Sequence, residues 1–209
     1  MKALAFFCVM KYYFCMKQQK PLSRGRLSLA AAFALMALLV QPGLADVLGV
    51  YFGPRQAIDK PLIAIFDNAQ RSIHVAMFSF TLDSYADALI HAHERGVEVK
   101  VVLDKGQARG RGSDARKLEA AGIPVRYGAG SGLMHHKFSI VDGRLVTTGS
   151  YNATWRGTHR NNENAVVIVD QKVARSFEDE FRFLWDESGG LQSKIDAGEA
   201  RMGAENKGR

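Results

Sequence analysis

Residues 72–103 read SIHVAMFSFTLDSYADALIHAHERGVEVKVVL. Apolar runs at residues 72–80 and 97–103 enclose a segment with helical periodicity, from Asp83 to Arg95, which ends at Gly96. Strands that are apolar on both faces are typical of a sheet that helices cover on both sides. A strand–helix–strand unit also pairs its two strands in parallel, through a right-handed connection. The stretch therefore predicts a fold of the α/β class.

The segments on either side of this stretch extend the same pattern. Further strands are predicted at residues 47–52, 125–127, 137–141, 145–148 and 164–169, and further helices at residues 57–70, 113–121 and 171–187. Asp142-Gly143 is a strong hairpin signal between two of these strands. We expect a mixed, largely parallel central sheet with helices on both faces, in one domain over residues 46–188. Residues 189–209 are polar and glycine-rich without periodicity, and are predicted to form a mobile tail.

The first 45 residues have the layout of a secretory signal peptide. Arg24 and Arg26 precede an apolar run at residues 27–40, and small residues follow at positions 43 and 45. We expect cleavage after Ala45 and a periplasmic or secreted protein with no stable membrane insertion. The alternative is that the run stays in place as an anchor. Residues 1–15 add an apolar stretch that a signal does not need, so translation is predicted to start at Met16.

Removal of this segment changes the cysteine and charge arguments. Cys8 and Cys15 both lie within it, so the mature chain has no disulfide, zinc finger or cysteine nucleophile. The formal net charge of the whole chain is +7. The segment holds six of the 28 basic residues and none of the 21 acidic ones, which leaves the mature chain at +1. Only local basic patches can then indicate nucleic-acid binding.

The densest group of reactive side chains lies between residues 135 and 152. It has the pattern H-x-K, four residues, D, six residues, G-S-x-N. His135 and Lys137 share one face of a strand, about 6.6 Å apart along the chain. Imidazole is a competent nucleophile and proton shuttle near neutral pH, and an ammonium group adds positive charge for a phosphoryl oxygen. The pair therefore predicts chemistry on a phosphate ester.

The hairpin predicts where the other members of the pattern lie. The second strand returns Ser150 and Asn152 to the neighbourhood of residues 135–137, where both can donate hydrogen bonds to the phosphate. Asp142 lies on the turn, about 16 Å from Lys137 along a straight strand. From the residues alone, Asp142 fits a turn or a supporting hydrogen bond better than contact with the phosphate.

The pattern resembles the signature of the phospholipase D superfamily in full, and is most similar to its small bacterial Nuc-type endonucleases. The resemblance extends from about Val47 to Trp185 and implies a phospholipase D-like fold. It also implies a catalytic set that contains His135, Lys137, Asp142 and Glu163. Glu163 is expected to hold a ring nitrogen of His135, as the third member of a triad does.

The mechanism of this family needs two such histidines. One attacks phosphorus to form a phosphohistidine, and the other protonates the leaving oxygen. The sequence contains one H-x-K, because no other histidine is followed by lysine two positions later. We therefore expect a symmetric homodimer with a shared site near the two-fold axis.

The resulting functional hypothesis is an exported, metal-independent phosphodiesterase, with no cofactor, that acts as a non-specific endonuclease on DNA or RNA. Lys105, Arg109 and Arg111 lie in a glycine-spaced loop after a strand and are candidate nucleic-acid contacts, or else a solvated loop. The alternatives are a phospholipase D-type hydrolase of phospholipid and a catalytically silent phosphate-binding module. No acidic pair or H-E-x-x-H segment predicts a metal site.

Overall fold

The structure is a computed structural model that describes the backbone of residues 45–205 and the side chains of residues 45–188. The predicted signal peptide and the alternative start at Met16 lie outside the described residues. The strands are β1 (Asp46–Phe52), β2 (Ser72–Met77), β3 (Glu98–Leu103), β4 (Val125–Tyr127), β5 (Lys137–Val141), β6 (Leu145–Gly149) and β7 (Asn164–Val169). The helices are α1 (Asp59–Asp67), α2 (Asp83–Glu94), α3 (Lys105–Ala108), α4 (Ala115–Ala120), α5 (Trp155–His159) and α6 (Gln171–Glu205).

The strands form one seven-stranded sheet in the order β1-β7-β6-β5-β2-β3-β4. β2 pairs with β3 and β3 with β4 in parallel, as the strand–helix–strand pattern predicted. The other four pairings are antiparallel. The sheet is therefore mixed, as expected, but mostly antiparallel. The reason is that β5 and β6 form a tight hairpin, and that β7 turns back beside β6 after a connection that contains only the short helix α5.

Helices cover both faces of the sheet, and each face has its own core. Alternation along β2 places Ile73, Val75 and Met77 in a core with residues of α1, α2 and α4, such as Phe66 and Leu89. On the other face, side chains of β5 and of α6 form a second core, which includes Phe138, Ile140, Ala174, Phe181 and Leu184. Burial of large apolar side chains is worth roughly 2 kcal/mol each, so the two cores hold the site's scaffold in place.

The C-terminal helix is longer than the sequence indicated. The periodicity predicted an end near residue 187 and a mobile tail from residue 189, but α6 continues to Glu205. The two glycines at 189 and 190 cost about 1 kcal/mol each relative to alanine, yet the chain from 171 to 205 contains no proline to stop a helix. Within the described residues, no helix is both long enough and apolar enough to span a bilayer.

Candidate active site

His135 and Lys137 lie at the start of β5, where the sheet meets solvent. Lys137 is directly paired with Met77 at the C-terminal end of β2. Its Nζ donates a hydrogen bond to the His135 carbonyl at 2.8 Å and lies 3.3 Å from His135 Nδ1. The side chains therefore point to the same side, as the alternation predicted. Nδ1 faces Lys137, which leaves Nε2 as the ring nitrogen open to a substrate.

Phe78 supports this pair from the neighbouring strand end. Its N–H donates to the His136 carbonyl at 2.9 Å, which extends the ladder between β2 and β5 by one step. The Phe78 ring lies 4.5 Å from the His135 ring, centroid to centroid, and Lys137 Nζ lies 4.9 Å from the Phe78 centroid. Sequence reasoning did not single out Phe78, although its position at the end of a fully apolar strand was the available signal.

Asn152 is fixed by the loop that follows β2. Its Oδ1 accepts a hydrogen bond from the Ser79 N–H at 3.1 Å, and Thr81 donates to the carbonyl of Ala153. The amide oxygen of Asn152 is therefore committed to the backbone. Its NH₂ group remains as the donor, which is the role that the sequence assigned to this residue at the phosphate.

Ser150 is held by hydrogen bonds to the start of β7 and to the residue before it. Its Oγ donates to Glu163 at 2.6 Å and accepts from the Asn164 N–H at 3.0 Å. The one hydroxyl proton is thus directed to Glu163, and Ser150 orders the strand end that carries Asn152. The predicted bond from Ser150 to a phosphate stays a prediction.

Glu163 does not hold the His135 ring within the described chain, contrary to expectation. Its two oxygens accept hydrogen bonds from Ser150 and from Asn161 Nδ2, the latter at 3.0 Å. Glu163 is nevertheless close enough to act on Lys137. Partial burial lowers the pKa of Lys137, and the negative charge of Glu163 opposes that shift. Glu163 therefore favours the charged form of the lysine.

The glycine of the G-S-x-N pattern has a steric role. Gly149 has φ +148°, and a Cβ at this position would lie 2.3 Å from the Asn164 carbonyl oxygen. That oxygen accepts hydrogen bonds from the N–H groups of Ser150 and Tyr151. Any side chain at 149 would push the two strand ends apart, so glycine is needed for the close approach that positions Asn152.

Asp142 lies at the end of the hairpin opposite to His135, where the protein backbone surrounds its carboxylate. Its carboxylate accepts hydrogen bonds from the N–H groups of Gln70, Arg71 and Ser72, at 2.7 to 3.2 Å. Burial would raise the pKa of Asp142, but these backbone bonds and the Arg71 charge outweigh it and hold the pKa below its usual value. Asp142 has φ 55°, which suits the hairpin turn. The carboxylate thus links the hairpin turn to the segment before β2, and the catalytic role that the resemblance implies for Asp142 stays a prediction.

His136 lies on the other face, in agreement with strand alternation. Its Nε2 lies 3.1 Å from Glu180 on α6, and its ring packs edge-on against Phe138. His136 is thus separated from the His135 side by the sheet itself, although the two residues are adjacent in sequence.

The predicted basic loop borders a cavity of about 520 Å³. Lys105, Arg109 and Arg111 line it, and Arg116 and Tyr127 complete its wall. The cavity lies beyond the C-terminal ends of β3 and β4, on the same edge of the sheet as Lys137. Among the described residues, no three His, Cys, Asp or Glu side chains converge as metal ligands.

Residues 62–185 match a protein-family model described as "Cardiolipin synthase, PLD-like domain". The chain belongs to this phospholipase D-like family. The match covers the whole hairpin with His135 and Lys137, the Asn152 turn and most of the sheet. The predicted phospholipase D-like fold is confirmed.

One solved structure and two curated proteins are similar to this chain and support the same family. The chain is 35% identical to a phospholipase D family member, Nuc from Salmonella typhimurium, over 69% of this chain and 96% of that one, with a TM-score of 0.65. It is 41% identical to a mitochondrial cardiolipin hydrolase of Chlamydomonas reinhardtii, over 57% of this chain and 53% of that protein. For the Xenopus tropicalis protein of the same name, identity is 40% over 60% of each chain. The phospholipase D-like chain thus spans between half and two thirds of these curated relatives.

Proposed function

We propose that this phospholipase D-like chain is an exported phosphodiesterase that cleaves nucleic acid without a metal ion. The observation that carries the proposal is the cluster of an imidazole, an ammonium group and an amide NH₂ on one open edge of the sheet, from His135, Lys137 and Asn152. These groups supply a nucleophile and two donors for the non-bridging oxygens of a phosphodiester.

The proposed reaction has two steps and uses two copies of His135. Nε2 of one His135 attacks phosphorus, the P–N bond forms, and the bond from phosphorus to the leaving oxygen breaks as the second His135 gives that oxygen a proton. Water then attacks phosphorus and gives its proton to the second His135, and the P–N bond breaks. Because the sequence has one H-x-K, the second histidine comes from another copy of the chain in a two-fold dimer.

Nucleic acid is the favoured substrate because the surroundings of the site are polar and basic. Lys105, Arg109 and Arg111 lie on the same edge of the sheet, and glycine-spaced cations suit a phosphate backbone. The resemblance of the motif to Nuc-type endonucleases and the structural likeness to Nuc support the same choice.

Phospholipid hydrolysis is the second candidate, and two observations favour it. The curated relatives at 40% and 41% identity are named mitochondrial cardiolipin hydrolase. Leu133, two residues before His135, has 69% of its surface exposed, and an exposed leucine beside a site suits contact with a lipid surface. The chemistry at phosphorus would be the same.

The two candidates are separated by one assay in EDTA. The mature chain is incubated with labelled single-stranded DNA, RNA and phosphatidylcholine vesicles that contain cardiolipin, beside His135→Ala and the matched control His136→Ala. Cleavage of nucleic acid by the parent and by His136→Ala, but not by His135→Ala, supports the nuclease. Cleavage of lipid alone, with a loss in Leu133→Asp, moves the function to the second candidate. A requirement for added metal contradicts both.

A further inference from the structure

The cavity beyond β3 and β4 is separate from the catalytic edge residues and strongly basic. Lys105, Arg109, Arg111 and Arg116 all line it, and each of the four is exposed. Among the described lining residues Glu119 is the only acid, and it accepts a hydrogen bond from the Tyr127 hydroxyl. The chain beyond residue 45 has a formal net charge of +1, so four cations around one cavity are a marked local excess.

The four cations are free to meet an anion. The ion pairs within residues 45–188 involve other cations, such as Lys117 with Asp83 and Lys100 with Glu98, and none of the four takes part. The cavity's volume of about 520 Å³ lies within the range of about 300 to 1,000 Å³ that is usual for small-ligand sites.

A buried carboxylate ties this cavity to the catalytic segment. Asp104 is 4% exposed. Its Oδ1 accepts from the N–H groups of Gly106 and Gln107, at 3.0 and 2.9 Å, and so fixes the start of the basic loop. Its Oδ2 accepts from the Met134 N–H at 3.2 Å, and Met134 directly precedes His135. Asp104 therefore links the start of the basic loop to the residue that precedes His135.

The sheet sets the distance between the two sites. Lys137 on β5 and Tyr127 on β4 are separated by three strand spacings, because β2 and β3 lie between them. Three spacings amount to about 14 Å. A polynucleotide carries one phosphate per nucleotide, so a strand that is cleaved beside Lys137 can reach the cavity with another of its phosphates.

We propose that this cavity, with Arg109, Arg111 and Arg116 as its anion-binding groups, is a second phosphate site that binds the polynucleotide away from the cleaved bond. The proposal rests on the proposed function and deepens it, because it requires a substrate with several phosphates along a strand. A dinucleotide has one phosphodiester and cannot occupy both sites. The second site therefore acts on long substrates alone.

The test compares a triple variant, Arg109→Ala with Arg111→Ala and Arg116→Ala, against a matched control. The control combines Arg144→Ala, Lys172→Ala and Arg175→Ala, which removes the same charge from exposed positions at the opposite edge of the sheet. At that edge the backbone N–H of Asp170 donates a hydrogen bond to the Arg144 carbonyl. For cleavage of a 20-nucleotide strand we expect KM to rise about tenfold or more in the cavity variant, with kcat unchanged. For a dinucleotide we expect KM and kcat to stay within about twofold.

Binding is measured independently of cleavage, in a His135→Ala background. The logarithm of the affinity for the 20-nucleotide strand falls with the logarithm of salt, and each lost phosphate contact reduces that slope by about 0.7 for a single strand. In the cavity variant, the magnitude of the slope of log affinity against log salt should therefore fall by about two. The control should keep most of the parent's slope. Replacement of the three arginines by lysine should restore most of the slope, and equal melting temperatures show that the variants are folded.

Three outcomes overturn the second site. The first is an unchanged slope and KM in the cavity variant, and the second is an equal loss in the control. The third is a loss of binding to cardiolipin-containing vesicles with binding to the 20-nucleotide strand unchanged, which would assign the cavity to a lipid headgroup. A different result would contradict the proposed nuclease function itself, namely that the parent chain cleaves no polynucleotide.

Discussion

The two ends of the 137–149 hairpin carry residues of one sequence motif, but they differ in how far the protein itself satisfies the polar groups of those residues. At the open end, His135 is exposed and its neighbours Lys137 and Asn152 leave donor groups unused by the protein. At the turn, the Asp142 carboxylate is saturated by three backbone N–H groups. Polar atoms that a fold satisfies internally stabilise it, and those that it leaves open are available to a ligand. We therefore expect the motif to combine residues for chemistry with a residue that stabilises the fold.

The largest expected effect is at the open end, in His135→Ala. Loss of the nucleophile should lower the cleavage rate by at least about 10⁴-fold. The side chain is exposed, so the free energy of unfolding should change by no more than about 0.5 kcal/mol. Single-turnover rates and urea denaturation measure the two quantities. A large loss of stability would show that His135, like Asp142, stabilises the fold. The contrast between the two ends of the hairpin would then not hold.

The second effect isolates the donor group of Asn152. Asn152→Asp keeps an oxygen that can accept from the Ser79 N–H, but replaces the free NH₂ with a negatively charged oxygen. We expect kcat to fall by about 10² to 10³-fold, as for loss of a donor to a developing oxyanion. Circular dichroism and thermal melting should match the parent. Normal cleavage by the folded variant would show that Asn152 does not face the phosphate.

The third effect is at the turn and should appear in stability alone. Asp142→Asn keeps the turn preference but weakens three hydrogen bonds to a charged acceptor, which should cost about 1 to 3 kcal/mol of unfolding free energy. The kcat of the folded variant should stay within about threefold of the parent, because Asp142 is about 16 Å from Lys137 along β5. Urea denaturation and initial rates at low temperature measure both. A rate loss in fully folded Asp142→Asn would contradict the division of roles.

The same variant has a predicted pH dependence. The pKa of Asp142 is lowered in the folded state, so its contribution is fully present above the unfolded value, near 3.9, and is lost as pH falls through the folded pKa. The stability gap between the parent and Asp142→Asn should therefore be complete at pH 7 and should narrow below about pH 4. A gap that stays constant down to pH 2 would contradict the role of the charge.

How far the sequence predicts this molecule depends on whether a feature is local or long-range. Strand alternation predicted that His135 and Lys137 share a face and that His136 lies on the other, because side chains alternate with period two. The bounds of β5 and β7 were also predicted. Alternation carries no information on which strands pair, so the antiparallel β2–β5 pairing and the contact of Phe78 with His135 were not foreseen. The bonds from Ser150 to Glu163 likewise depend on β6 lying beside β7.

The smallest expected effect is at His136, which is next in sequence to His135. Its bond to Glu180 is between exposed groups, and such pairs contribute about 0 to 1 kcal/mol. His136→Ala should retain cleavage within about twofold and lose less than about 1 kcal/mol of stability. A loss of activity comparable with that of His135→Ala would mean that the sheet does not separate the two side chains in the active protein.

The most direct test of the central claim is to trap the covalent intermediate on His135. The parent and His135→Ala are mixed with a phosphodiester oligonucleotide in EDTA, quenched in alkaline denaturant, digested and analysed by mass spectrometry. We predict that the peptide containing His135 carries a phosphoryl-linked fragment of the substrate in the parent, and that the variant carries none. Cleavage of the substrate by a parent with no adduct on any histidine, or only after metal is added, would contradict the account.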